Sequence, residues 1–183
     1  KNYDRLLEIY EALADYGYRE VGQEYLQNVL NTDKKLDAYD SGRIYYYLGD
    51  YQKAYLALEE AKGKGGVDSY LYLGKAYAAT GDYNYASSVY SNYLSKQGPD
   101  AEIYNQLGLC EMAKKDYQKA LEAFQAGKQI EGNSLMQTLS FNEIVAYEYL
   151  QDYQKAAVLL KAYLQNYPDD QTAIREQQFL STR

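Results

Sequence analysis

The chain contains no histidine and no tryptophan, a single cysteine and only two prolines. Without imidazole, histidine acid–base catalysis, Ser-His or Cys-His nucleophile pairs and histidine-ligated metal sites are all excluded within this chain. One cysteine cannot close an intramolecular disulfide, so it says little about redox compartment. No apolar run reaches the length of about 18 residues that a membrane-spanning helix needs. No secretory leader is visible, although a start at Lys1 rather than Met is compatible with a removed upstream segment. Basic residues are also scarce: 19 Lys and Arg stand against 26 Asp and Glu, a net charge of −7. That balance argues against a nucleic-acid surface, which needs clustered cations, and against docking on an anionic membrane. Its simplest consequence is solubility.

What the chain does have is tyrosine, 25 of them against 3 phenylalanines. Tyrosine buries a ring while keeping its hydroxyl wet, which suits the half-buried positions of a thin, two-layered array. Most of these tyrosines are therefore expected to be structural, and an aromatic binding face is the other use open to them. Apolar residues make up 46% and charged residues 25%, so an ordered globular chain is expected.

One phrase organises the chain. Asp50-Tyr51-Gln52-Lys53-Ala54 returns unchanged at 116–120 and 152–156, and loosely as Asp82-Tyr83-Asn84-Tyr85-Ala86. Its tyrosines are spaced by 32, 34 and 36 residues, the self-similarity of a repeat architecture. Apolar residues at helical spacing between polar turns predict helices over Asp4 to Ala14, Tyr18 to Leu30, Lys34 to Leu48 and Tyr51 to about Lys62. After the glycines at 63, 65 and 66, the next are Asp68 to Thr80 and Tyr83 to Lys96. The rest are Ala101 to Ala113, Tyr117 to Ile130, Leu135 to Leu150, Tyr153 to Asn166 and Gln171 to Ser181. That makes eleven helices and no convincing strand. The Asp of each phrase is expected to cap the helix that follows, as are Asp33, Asp68 and Asp100 for theirs. The Gln-Lys of each phrase is expected to face solvent.

Gly42 and Ala54, Gly74 and Ala86, and Gly108 and Ala120 are each 12 residues apart. Across a tight turn that step places two small residues opposite each other, so helix axes can approach to about 8–10 Å. Tyr77, Tyr90 and Phe124 then fill the space around the contact.

These features resemble the tetratricopeptide repeat, a helix–turn–helix of about 34 residues. The residues that carry the resemblance are Tyr70, Leu73, Gly74, Tyr77, Ala86 and Tyr90 in one unit and Tyr104, Leu107, Gly108, Ala120 and Phe124 in the next. A fifth unit keeps Tyr147, Ala156, Leu160 and Pro168 but has Ile144 where the family prefers glycine. The resemblance implies an all-α, right-handed solenoid forming a single domain over 1–183. Its repeats would be about 2–34, 35–66, 67–100, 101–136 and 137–170, with a capping helix at 171–182. It implies a protein-interaction module that is not an enzyme and carries no cofactor. The first helix of each pair would line a concave face that binds a protein or an extended peptide. In the family register the inward positions are Tyr39, Arg43, Tyr46, Lys75, Asn105, Leu109, Met112, Phe141, Val145 and Tyr149.

Some family members hold a peptide's terminal carboxylate with a Lys/Asn/Arg clamp. The comparable positions here are Leu71, Lys75, Glu102, Asn105 and Gln106, of which only Lys75 and Asn105 suit that role. Cys110 stands where other units have Ala76 and Ala146 and reads as a small core residue. Carboxylates such as Glu59, Glu60, Glu122, Glu131, Asp169 and Asp170 fall at helix ends or solvent faces and do not converge as a hydrolase pair would. The acidic, tyrosine-rich repeats look like those of bacterial members exported and tethered as lipoproteins. A sensor for a signalling peptide, a self-assembling structural component (a homo-oligomer) and an accessory domain of a larger protein are the alternatives this sequence leaves open.

Overall fold

The computed structural model describes residues 2–61 and 63–182. Among the described residues there are eleven α-helices and no strand. They are α1 (Tyr3–Asp15), α2 (Arg19–Thr32), α3 (Ala38–Tyr47), α4 (Tyr51–Glu60), α5 (Val67–Ala79), α6 (Tyr83–Gln97), α7 (Ala101–Ala113), α8 (Tyr117–Lys128), α9 (Met136–Tyr149), α10 (Tyr153–Asn166) and α11 (Gln171–Leu180). The all-α, helix-turn-helix architecture expected from the repeats is the one the chain adopts. Two compact units divide it, Lys1–Asp82 and Tyr83–Arg183. In the first, each of α1 to α4 packs on its successor, and α3 also packs on α5. In the second, each of α6 to α10 packs on the next. Within each unit the short connections make successive helices antiparallel neighbours.

The repeated phrase joins two helices at one residue. The Asp50 N–H donates to Tyr45 O and the Gly49 N–H to Tyr46 O, each at 3.0 Å, which is the Schellman closure of α3. The Asp50 side chain then accepts the Lys53 N–H and starts α4. Asp116 and Asp152 repeat both bonds, to Glu111 O and the Lys119 N–H, and to Tyr147 O and the Lys155 N–H. One residue thus ends a helix with its backbone and begins the next with its carboxylate. The middle turn residue must be left-handed. Gly49 meets this freely at φ 80°, whereas Lys115 and Gln151 hold φ 64° despite carrying side chains. The phrase lysine is exposed as expected, yet it also pairs with the capping carboxylate. Lys53 Nζ lies 2.6 Å from Asp50 and Lys119 Nζ 2.7 Å from Asp116. Asp116→Ala is expected to lower the urea midpoint and Asp116→Asn to lower it much less, because asparagine keeps the capping oxygen. Urea melts of the two variants check this.

At α3 and α5 the residue that caps the helix differs from the sequence expectation. Helix α3 begins at Ala38 and not at Lys34, because Asp37 accepts the Asp40 N–H at 3.0 Å and takes the cap. Asp33 is engaged otherwise, accepting the Tyr3 hydroxyl at 2.7 Å and the Lys35 N–H at 3.1 Å. The intervening Leu36 packs on the cluster of Leu7, Tyr10, Leu26, Val29 and Ile44. Helix α5 is preceded by Gly66 at φ 64°, so Asp68 lies inside the first turn rather than capping it. The turn is tied by buried Ser69, whose Oγ donates to Gly66 O and accepts the Gly63 N–H. The expected end of α4 at Lys62 lies outside the described residues.

The small positions do permit close approach. A Cβ on Gly42 would sit 2.6 Å from Leu58 Cγ, and one on Gly108 would sit 2.3 Å from Phe124 Cε1. Phe124 is fully buried beside Ala120, Leu121, Leu139 and Ala146. In the last pair Ile144 occupies the glycine position, buried with Ala156 and Leu160, so there the small residue comes from α10 alone.

Candidate binding surface

In the first unit, Tyr39, Arg43 and Tyr46 come from α3 and Lys75 from α5. Arg43 is only 5% exposed. Its Nη1 reaches Asp4 Oδ1 and its Nη2 reaches Asp40 Oδ1, both at 2.5 Å, and the guanidinium lies 4.3 Å from the centroid of the Tyr39 ring. Burial works against the charge, but the hydrogen bonds to Asp4 and Asp40 overcome it and hold the group more firmly protonated than usual. Arg43 is therefore committed to joining α1 and α3. Tyr46 touches Tyr47, Tyr51 and Tyr72 at centroid distances of 5.5 to 5.7 Å. The Tyr47 hydroxyl meets that of Tyr72 at 3.0 Å and donates to Glu11. Burial raises the hydroxyl pKa of both Tyr46 and Tyr72, so this ring cluster stays neutral. Lys75 is half-buried.

In the second unit, α7 supplies Asn105, Leu109 and Met112, and α9 supplies Phe141, Val145 and Tyr149. Asn105 is 5% exposed, and its Oδ1 accepts the Asn142 side-chain amide at 2.9 Å, tying α7 to α9. Met112 packs against the Phe124 cluster. Phe141 turns toward the neighbouring layer, its ring 5.7 Å from that of Tyr163. Val145 is half-buried. Leu109 and Tyr149 remain 42% and 56% exposed. Tyr149 stacks on Tyr117 of the repeated phrase at 4.9 Å. The phrase tyrosines therefore reach the first helices rather than belonging wholly to an outer layer.

Sequence reasoning missed a cleft of about 480 Å³ among α9, α10 and α11, lined by Glu148, Tyr149, Tyr153, Glu176 and Phe179. Burial, and after it the charge and hydrogen bonding of Glu176, push the Glu148 carboxyl up to about 7. Glu148 Oε1 is buried without a hydrogen-bond partner. Of the five lining residues, the repeats mark Tyr149 as an inward position and Tyr153 as the tyrosine of the repeated phrase, but neither glutamate and not Phe179. Elsewhere in the unit Glu143 is satisfied by Lys128 at 2.5 Å and Gln125 at 2.8 Å.

Cys110 is 4% exposed, and burial, reinforced by Glu111 and opposed by Lys114, lifts its thiol to about 11. It is a protonated packing residue, in keeping with the alanines at equivalent positions. Asp170 caps α11 and accepts the Tyr163 hydroxyl at 2.6 Å. Among the described residues no group of three His, Cys, Asp or Glu is placed to hold a metal, and no helix is long and apolar enough to cross a membrane.

Comparison with known proteins agrees with this geometry. Two family models described as tetratricopeptide repeat match residues 71–134 and 141–170, together just over half of the chain. Among solved structures, a thermophilic TPR protein of Thermus thermophilus superposes with a TM-score of 0.73 at 16% identity, over 99% of this chain and 100% of that one. A tetratricopeptide repeat protein from Parabacteroides merdae gives 0.70 at 16% identity, over 97% and 72%. The second TPR domain of human RPAP3, solved in complex with an HSP70 peptide, gives 0.54 at 15% identity, over 60% and 90%. No curated protein matches the chain by sequence. The chain belongs to the tetratricopeptide repeat family, whose members are generally non-catalytic interaction scaffolds.

Proposed function

We propose that this protein is a non-catalytic scaffold whose first helices bind a protein or an extended peptide. The observation that carries this reading is the exposure of Leu109 and Tyr149 on α7 and α9, large apolar groups that the core of the unit does not use. Their setting supports it, because the polar candidates beside them are already engaged. Asn105 is bonded to Asn142, and Gln106 donates to Glu102 at 2.9 Å. A partner would therefore be held by ring and aliphatic contacts along its length rather than by a clamp on its terminal carboxylate. The human RPAP3 domain, solved in complex with an HSP70 peptide, is an instance of this fold with a peptide bound.

The test is quantitative affinity capture with the immobilised chain, comparing wild type with the Leu109→Ser, Tyr149→Ser double variant. Retention of partners is expected to drop about tenfold or more, as for aromatic anchors in other interfaces, with the melting temperature little changed. Equal capture by both proteins would reject these helices as the binding face.

A further inference from the structure

We infer that the cleft formed by α9, α10 and α11 receives a basic side chain, lysine or arginine, of a partner peptide, seated between Glu148 and Glu176 and against the rings of Tyr149, Tyr153 and Phe179. This rests on the peptide-binding reading above and specifies one determinant of the partner.

The first ground is a contrast with three carboxylates whose side chains are only 6% to 14% exposed. Asp40 faces Arg43, Glu111 faces Lys114 and Glu143 faces Lys128, so in each case the chain supplies its own cation. At Glu148 the neighbour is a second carboxylate, Glu176, and no residue lining the cleft is basic. Two carboxylates brought together from different helices repel each other unless a proton or a cation lies between them. Glu148 Oε1, buried and without a donor, is an acceptor still to be satisfied.

The second ground is the rest of the lining. Three of the five residues are aromatic, and Tyr149 and Phe179 are 56% and 40% exposed. Aromatic faces attract ammonium and guanidinium groups through the ring quadrupole, while the edges accept the aliphatic stem. A cleft of about 480 Å³ is large enough for such a side chain and opens to solvent. The chain's net charge of −7 draws a basic partner toward it. Tyr149 belongs to both the proposed binding face and this cleft, so a peptide lying along α9 would pass it.

The test has two arms, both on the full chain at pH 8. In the first, N-acetyl-lysine methylamide and N-acetyl-arginine methylamide are titrated while aromatic NMR signals are followed, with N-acetyl-glutamine methylamide as the neutral control. Phe179 is one of only three phenylalanines, so its ring signal is readily assigned by substitution. The cations are expected to move the Phe179, Tyr149 and Tyr153 signals, the neutral control to move them far less, and the Glu148→Gln, Glu176→Gln variant to abolish the difference. In the second arm, extended peptides carrying one Lys or Arg are compared with the same peptides carrying Gln, and about tenfold tighter binding of the basic members is expected. Ring signals that respond equally to cation and neutral control would overturn the proposal, leaving a carboxyl pair that merely shares a proton. Peptides that bind without a basic preference would also overturn it while leaving the scaffold reading intact. A cation response without any peptide binding would retain the site and reject the scaffold reading.

Discussion

Gly108→Leu is expected to destabilise the second unit by about 3 kcal/mol, at the upper end of what overpacking costs. In a chain of this size that lowers the melting temperature by about 10 °C. Even the first added carbon has no room. A Cβ at 108 would lie 2.3, 2.6 and 2.7 Å from Phe124 Cε1, Cδ1 and Cζ. The ring cannot swing aside into solvent, because it is fully buried and enclosed by Ala120, Leu121, Leu139 and Ala146. Removing a helical glycine returns about 1 kcal/mol of backbone propensity, which offsets only part of the strain. The diagnostic experiment is a double-mutant cycle of Gly108→Ala with Phe124→Leu. If the two residues act through one contact, the pair costs clearly less than the sum of the singles. Strictly additive costs would mean that Gly108 is required for something other than the approach of that ring.

The same contact shows how far the sequence could be read. Glycine and alanine 12 residues apart announced a close helix crossing, and Gly42 and Gly108 both meet side chains from the opposite helix. The capping aspartates were legible for the same reason, since a cap is local and its donor lies three residues away. What the 34-residue register could not supply was the identity of distant partners. It placed Arg43 and Asn105 on the inward side, but not their bonds to Asp4, 39 residues away, and to Asn142, 37 residues away. Phe141 was given the same face, and its ring packs on Tyr163 and the cluster of Ile144, Ala156 and Leu160, a contact the register does not specify. The start of α3 was misplaced because Asp33 and Asp37 are both good caps, and the demand of Leu36 for the core decided between them. The Glu148–Glu176 cleft was invisible. Glu176 lies on α11, beyond the last repeat, where no internal copy exists to mark it.

Arg43→Ala is expected to cost the first unit about 3 kcal/mol, the loss typical of breaking a buried pair on one side. The two aspartates do not suffer equally. Asp4 is 73% exposed and returns to water, whereas Asp40 is 14% exposed and keeps an uncompensated charge at the α1–α3 contact. The contact over Tyr39 and the packing of the aliphatic stem are lost as well. Arg43→Lys is expected to recover less than half of the loss, because one ammonium cannot reach two carboxylates with the geometry of a guanidinium fork. Arg43→Met combined with Asp40→Asn is expected to recover most of it, since removing both charges removes the desolvation problem with them. Urea unfolding of this series at neutral pH measures each step. The double variant also separates two roles that the repeat register assigns to one position. If it is stable and still captures the partners of the wild type, Arg43 serves the fold alone. If it is stable but loses them, a residue bonded at both ends within its own unit nonetheless releases its guanidinium to a ligand. That would require the Asp4 bond, the more solvent-exposed of the two, to open on binding.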